Sequence, residues 1–311
     1  MFLTVDQVQQ LIKIIDGNQS IIIGQELGDK FLTDYDKQVL KNSGIDYENI
    51  YKPSNSSIDL SFHFGMLAES IGALEAGKID FESLKEYVSG GKYLPITPLQ
   101  RAALDSIKVQ SFSSVKALNG RIFSDVNNIL TNPSLQTQKQ FLVDELKEGI
   151  IDKKTIRQIA NDISDKTGDW SRDFDRIIET ASQNAFELGK ASEMERKSEG
   201  TDPLVFKRVF DSACKYCVKA YLTNGVGSQP KIFKLSELKA NGDNVGKKVA
   251  EWLPVLGAMH PYCRCSLVEY FKGFIWNPEQ QSFSTADPNY LPVSKKYKPI
   301  LVRIGEKEFY V

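Results

Sequence analysis

Six side chains in this sequence have the chemistry to hold a soft metal, drive a nucleophile or cycle between redox states: four cysteines and two histidines. Their placement is uneven. Cys214-Lys-Tyr-Cys217 is followed, after 42 intervening residues, by His260-Pro-Tyr-Cys263-Arg-Cys265, so every cysteine and one histidine fall in a single short window. A Cys-x-x-Cys turn lets two thiolates approach one ion from the same loop, and His-x-x-Cys does likewise from the other end of the segment. Together they make a tetrahedral zinc site. Five candidates, Cys214, Cys217, His260, Cys263 and Cys265, compete for four places, and the fourth ligand is either Cys263 or Cys265. Joining the clusters closes a loop of about 45 residues with little hydrophobic content of its own, so metal-binding free energy becomes folding free energy for the module. One structural zinc per chain, acting as a staple, is the expectation.

Other chemistries fit these residues less well. Disulfides between the clusters would need an oxidising compartment and would leave the histidine no part. A thioredoxin-like motif wants its Cys-x-x-Cys at a strand-to-helix junction of an α/β pattern, and buried packing thiols would account for one or two cysteines rather than four at this spacing. A catalytic zinc keeps a position open for water beside a carboxylate base, whereas four or five soft ligands leave none. Neither HExxH nor the His-x-Glu that precedes Pro-Cys-x-x-Cys in nucleobase deaminases occurs. His63, inside Ser61-Phe62-His63-Phe64, reads as a packing histidine on a helix, and Gly225-Val-Gly227 is too short for a phosphate loop. The sequence therefore predicts a non-enzyme. Its rival is a metal-dependent nucleic-acid-processing enzyme or toxin effector built on the same module, with Asp211 or Glu251 beside an open metal site.

The elements that must position these residues follow from periodicity and punctuation. The first ~95 residues read as short helices: one capped by Thr4 and stopped by Gly17, one capped by Thr33, then Leu60 to Gly77 and Phe81 to Val88, ended by Gly90-Gly91 and the prolines at 95 and 98. Thr97-Pro98-Leu99-Gln100 combines an N-cap, a proline in the first turn and a reciprocal glutamine. Leu104, Ile107, Phe112, Val115, Leu118, Ile122, Val126 and Ile129 then recur at helical spacing up to Asn132-Pro133, which predicts ~33 residues and about 50 Å of helix. Shorter helices near 134–148 and 153–166 precede another long one from Trp170 to Ser198, with Phe174, Ile177, Ile178, Ala181, Ala185, Leu188 and Ala191 on one stripe. Past Gly200 the texture changes to strands at 203–210 and 266–271, a short helix near Val245 to Leu253, and a proline-punctuated tail closing with a hairpin or edge strand at Ile300 to Val311. The fold class expected is α+β and predominantly α-helical: long helices, then a small zinc-stapled α+β module, then an extended C-terminal tail.

The order of these features resembles the phage Mu F-like head morphogenesis family, the minor head or minor capsid proteins of tailed bacteriophages. The resemblance runs over roughly residues 100–272, through Ile156 to Gly168, Arg172 to Glu195, Phe210-Asp211-Ser212-Ala213-Cys214-Lys215-Tyr216-Cys217 and His260-Pro261-Tyr262-Cys263-Arg264-Cys265. Its most specific part is the pairing of CxxC with HPxCRC. Where members often carry an Ala-Arg-Thr-Glu-like stretch, this chain reads Ile177-Ile178-Glu179-Thr180-Ala181-Ser182. The resemblance implies a structural role in head assembly, with the portal protein and capsid or scaffold proteins as partners and packaged DNA as a further candidate, and with no membrane and no small-molecule substrate. The implied location is the virion, in the head or head–tail connector region, after synthesis in the host cytoplasm. With the first boundary set by the break at Gly90-Gly91 and the prolines beyond it, the expected division is an N-terminal helical region over 1–95, a head morphogenesis domain over 96–275 with its long helices at 98–198 and its zinc module at 203–272, and a tail over 276–311, the first and last having no counterpart in the family.

Composition sets outer limits. The chain has 311 residues, 41% hydrophobic and 25% charged, with 39 Lys or Arg against 40 Asp or Glu for a formal charge of −1, so it is not an electrostatic nucleic-acid binder as a whole. Charge is local. Residues 201–275 hold 11 Lys or Arg against 6 Asp or Glu, a mildly basic module on an acidic body, suited to a DNA backbone or an acidic protein face. No apolar run approaches the roughly 20 residues that span a bilayer, and the N-terminus lacks a basic segment followed by an apolar one, so a soluble, unexported chain is expected.

Overall fold

The computed structural model describes residues 5–27, 29–42, 56–91, 94–135, 137, 140–142, 144, 170–198, 200–285 and 300–310. The fold is α+β, mostly helical, with long helices and small antiparallel sheets. Two compact units form, each from separated stretches of chain: Met1–Ser57 with Lys108–Ile178, and Ile58–Ile107 with Glu179–Val311. The boundaries expected near 95 and 275 both fall inside the second unit. No helix among the described residues is long and apolar enough to cross a membrane.

In the first unit, α1 (Val5–Ile22) runs on into a π-helical turn, Ile23–Leu27. The expected stop at Gly17 is overruled. An isolated helical glycine costs only about 1 kcal/mol, Gly17 is buried, and Ile21, Ile23 and Leu27 carry the buried apolar surface onward. α2 (Asp34–Asn42) starts as expected at Thr33, whose hydroxyl accepts from the Asp36 amide at 3.2 Å while its own amide donates to the Asp36 carboxylate at 2.9 Å.

α3 (Ser57–Ile71) and α4 (Ala73–Ala76) replace the single helix expected over 60–77, because Gly72 takes a φ of 85° that breaks the ladder. α5 (Phe81–Ser89) follows with Asp80 as its cap. α6 (Pro98–Thr131) is the predicted long helix, 34 residues, opened by the reciprocal Thr97 and Gln100 bonds at 3.2 and 2.8 Å. The helices expected near 134–148 and 153–166 lie almost wholly outside the described residues. α7 (Trp170–Lys197) matches the second long helix.

The module after α7 is built on a three-stranded antiparallel sheet. β1 (Leu204–Arg208) is central, between β2 (Phe233–Lys234) and β3 (Ser266–Glu269), with Val205 opposite Phe233 and Lys207 opposite Leu267. Between the strands lie α8 (Lys215–Tyr221) and α9 (Leu235–Ala240), neither of which periodicity revealed in so short a span, while the helix expected at 245–253 is one 3₁₀ turn, Val249–Glu251. Two hairpins follow: β4 (Ile275–Asn277) with β5 (Ser282–Ser284), and β6 (Leu301–Ile304) with β7 (Lys307–Tyr310), the latter at the expected place. Phe283 on β5 packs against Phe206, Tyr270 and Trp276 at ring separations of 5.0–5.2 Å, covering one face of β1. The remainder of the expected extended tail, 286–299, lies outside the described residues.

Candidate metal centre

Two short pieces of the second unit carry all five sequence candidates. The first follows β1. A turn closed by the Ala213 amide donating to the Phe210 carbonyl at 2.9 Å delivers Cys214 to the N-cap of α8, where its Sγ accepts from the Cys217 amide at 3.5 Å. Both sulfurs of the CxxC therefore sit at the mouth of one helical turn.

The second piece is a tight turn from His260 to Cys263, closed by the Cys263 amide donating to the His260 carbonyl at 3.0 Å. Pro261 stands at its second position and Tyr262 at its third with a φ of 61°, the backbone signature of a type II turn. Glycine is the usual third residue. A tyrosine there stores backbone strain.

These pieces meet. His260 Nε2 lies 3.0 Å from Cys214 Sγ and 3.3 Å from Cys217 Sγ, and Cys217 Sγ lies 3.6 Å from Cys263 Sγ. A tetrahedral zinc with Zn–S of about 2.3 Å and Zn–N of about 2.0 Å sets its donors roughly 3.5–3.8 Å apart; the Cys217–Cys263 pair stands at that spacing, while the two sulfur–nitrogen pairs would open by a few tenths of an ångström to admit such an ion. The imidazole is also prepared for ligation. Its Nδ1 is 2.8 Å from the Pro261 carbonyl oxygen, which can only accept, so Nδ1 carries the proton and Nε2 turns its lone pair toward the sulfurs. Trp252 stacks on the ring at 6.2 Å and 20°, with Tyr216 edge-on to Trp252 at 5.3 Å.

The donors form two overlapping triads, Cys214–Cys217–His260 and Cys217–Cys263–Cys265, each with its ligand atoms within 4.8 Å of one another. This cluster could hold a metal ion. Cys217 belongs to both triads and is buried, as are Cys263 and Cys265, while Cys214 is half-exposed. All four thiols are free of disulfides. Hydrogen bonding within the second triad splits their acidities: the bond with Cys263 pushes the Cys217 thiol far up, and bonds from Cys217 and Cys265 pull Cys263 far down.

Neither Asp211 nor Glu251 joins either triad. His63 is buried in α3 with Phe62 edge-on at 5.4 Å, as a packing histidine would be.

Behind the ligand loop stands a set of residues that sequence reasoning missed. Lys207 of β1 and Glu187 of α7 are both fully buried and paired at 3.0 Å. The Lys207 ammonium also donates to the carbonyl of Leu256 and reaches those of Gly257 at 3.4 Å and Cys265 at 3.5 Å. The Glu187 carboxylate accepts from the Leu267 amide at 2.6 Å and from the Gln183 side chain at 2.9 Å. One turn back on α7, Asn184 accepts from the Ala258 amide at 2.7 Å, and it lies so near Gly257 that a Cβ there would come within 2.3 Å of its oxygen. A lysine interrupting the apolar run of PLVFKRVF was the available signal.

No protein-family model matches the chain, and neither the curated proteins nor the solved structures give a significant match.

Proposed function

We propose that the chain is a structural minor head protein of a tailed bacteriophage or prophage, acting without turnover in head morphogenesis. In this reading a single zinc bound by Cys214, Cys217, His260 and one of Cys263 and Cys265 staples the module after α7 into a docking surface for portal or capsid components. The observation that carries it is the meeting of CxxC with HPxCRC: a sulfur at 214 and an imidazole nitrogen at 260 stand 3.0 Å apart at the end of long helices, the order of features of the family that the sequence resembles. Soft thiolates with one imidazole suit Zn²⁺ over hard cations. The basic balance of the module offers an acidic protein face or a DNA backbone its complement.

Two measurements test this. Elemental analysis of the purified, reduced chain should return about one zinc per molecule, falling to near zero in Cys217→Ser, which removes the donor common to both triads. Co-expression with a portal protein of a tailed phage should yield a complex that co-sediments. A folded wild-type chain free of zinc would remove the staple, and metal-dependent nuclease or deaminase turnover lost in Glu251→Ala would replace this reading with the enzymatic one.

A further inference from the structure

A fully buried ion pair is seldom a source of net stability. Desolvating both charges costs several kcal/mol, and apolar residues of similar volume pack at least as well. The Lys207–Glu187 pair therefore invites a reason beyond the core, and its remaining hydrogen bonds supply one. Apart from the Gln183 side chain, one turn back on α7, they go to the two ends of a single loop. Leu256 and Gly257 enter the segment that carries His260 and Cys263, and Cys265 and Leu267 leave it. One ammonium gathers carbonyls from both ends, and its counter-carboxylate takes the amide at the exit. Asn184 adds a second hold at the entrance through the Ala258 amide.

Resting on the metal reading above, we propose that Lys207 and Glu187 are positioning residues of the metal centre, closing the 256–267 loop so that His260 and Cys263 face Cys214 and Cys217 before the ion arrives. The physical gain is pre-organisation. Without such a hub, the ion must pay the conformational entropy of ordering the loop on each binding event. With it, only the turn from His260 to Cys263 remains to be fixed. The ammonium suits the task where a methyl group would not, because it has three donors for a carboxylate and carbonyls that would otherwise be buried unpaired.

The test compares the wild-type chain with Lys207→Met, Glu187→Gln and the ligand variant Cys214→Ser, reading zinc affinity by chelator competition and ligand identity from the thiolate-to-metal absorption of bound Co²⁺. Residues supporting a metal site from outside its ligand set typically change affinity 10- to 100-fold. Lys207→Met and Glu187→Gln should weaken zinc by that factor while leaving the charge-transfer intensity per bound cobalt unchanged, whereas Cys214→Ser should lower that intensity. Wild-type affinity in both hub variants would overturn the proposal. A wild-type chain with no thiolate–cobalt bands would instead overturn the metal reading beneath it.

Should the hub variants fail to fold, amide hydrogen exchange on the wild-type chain decides the matter. After zinc is stripped, the amides of Ala258 and Leu267, which donate to Asn184 and Glu187, should stay protected while that of Cys263 exchanges faster. Equal loss of protection at all three would mean that the ion alone builds the loop.

Discussion

α7 docks its neighbours in the second unit by two unlike means on adjoining sides. Toward the middle of α3 it uses the absence of side chains: a Cβ on Gly65 would come within 2.1 Å of the Phe186 carbonyl oxygen, and one on Gly189 within 2.0 Å of that of Phe62, so the two backbones touch. Toward the ligand loop it uses long polar side chains, Asn184 and Glu187, that reach backbone groups of irregular chain. Lys190 stands where the sides adjoin, paired with Glu69 at 3.6 Å and donating to the Leu267 carbonyl. The difference follows from what each partner offers. A helix has already satisfied its interior amides and carbonyls, so shape is what is left to match along its middle, and the polar contacts gather at the end of α3, where Lys197 donates to the Glu69 carbonyl at 2.8 Å and Ser70 to Glu193 at 2.6 Å. A loop brings unpaired backbone groups into the interior, and each needs a partner.

That contrast can be broken from either side. The largest change should come from Gly189→Ala, which must push two backbones apart and is expected to cost roughly 3 kcal/mol, read as a fall in the denaturation midpoint with little change in metal affinity. A shift below the error of the measurement would mean that the helices are free to separate. Asn184→Ala should cost about 2 kcal/mol by stranding the Ala258 amide, and unlike the glycine variant it should also weaken zinc binding. Equal metal affinity in the two variants would erase the distinction between the sides.

A smaller, pH-dependent effect sharpens the comparison near Lys190. Burial, then the charge of Glu69, raises the Glu269 carboxyl from 4.5 to about 7 against the pull of Lys197, and burial likewise raises Glu69 against Lys190 and Lys197. A raised carboxyl binds its proton more tightly in the folded chain. Its contribution to stability is therefore present in full below pH 4.5 and is lost as pH rises through about 7. Chemical denaturation across that window should show stability falling toward neutrality, with a flatter profile in Glu269→Gln; an unchanged slope would detach Glu269 from this cluster. The smallest effect belongs to Arg264→Ala. Its contact with Glu179 is 2.8 Å long, but 76% of the arginine side chain is exposed, so about 0.5 kcal/mol or less is expected in a thermal melt.

The sequence disclosed what is local and periodic. Reciprocal caps at Thr33 and Thr97 and the apolar spacing of α6 and α7 are properties of adjacent turns, so they could be read directly. The buried seam of α6 was drawn slightly wrong. Ile107 and Phe112 are half-buried, while their neighbours Lys108 and Ser111 occupy buried positions, because tertiary surroundings decide which of two adjacent residues turns inward. That Cys214, Cys217 and His260 lie together, and Cys217, Cys263 and Cys265 likewise, was legible because soft ligands advertise themselves by type. The hub was not. Lys207 and Glu187 are 20 residues apart, are the residue types least expected in a core, and gain meaning only once a strand and a helix bring them together. Short elements such as α8 and α9 escaped for a similar reason, since six or seven residues carry too little period to separate helix from turn.

Cys214 holds the first turn of α8 and, in the zinc reading, one corner of the tetrahedron with the same atom. That double duty narrows what evolution or an engineer can place there. Histidine would ligate but cannot fold back onto the amide at 217, and serine or asparagine would cap but surrender the thiolate. Of the other residue types only aspartate comes near to filling both posts, so the alphabet usable at position 214 is set by the cap and the ion together.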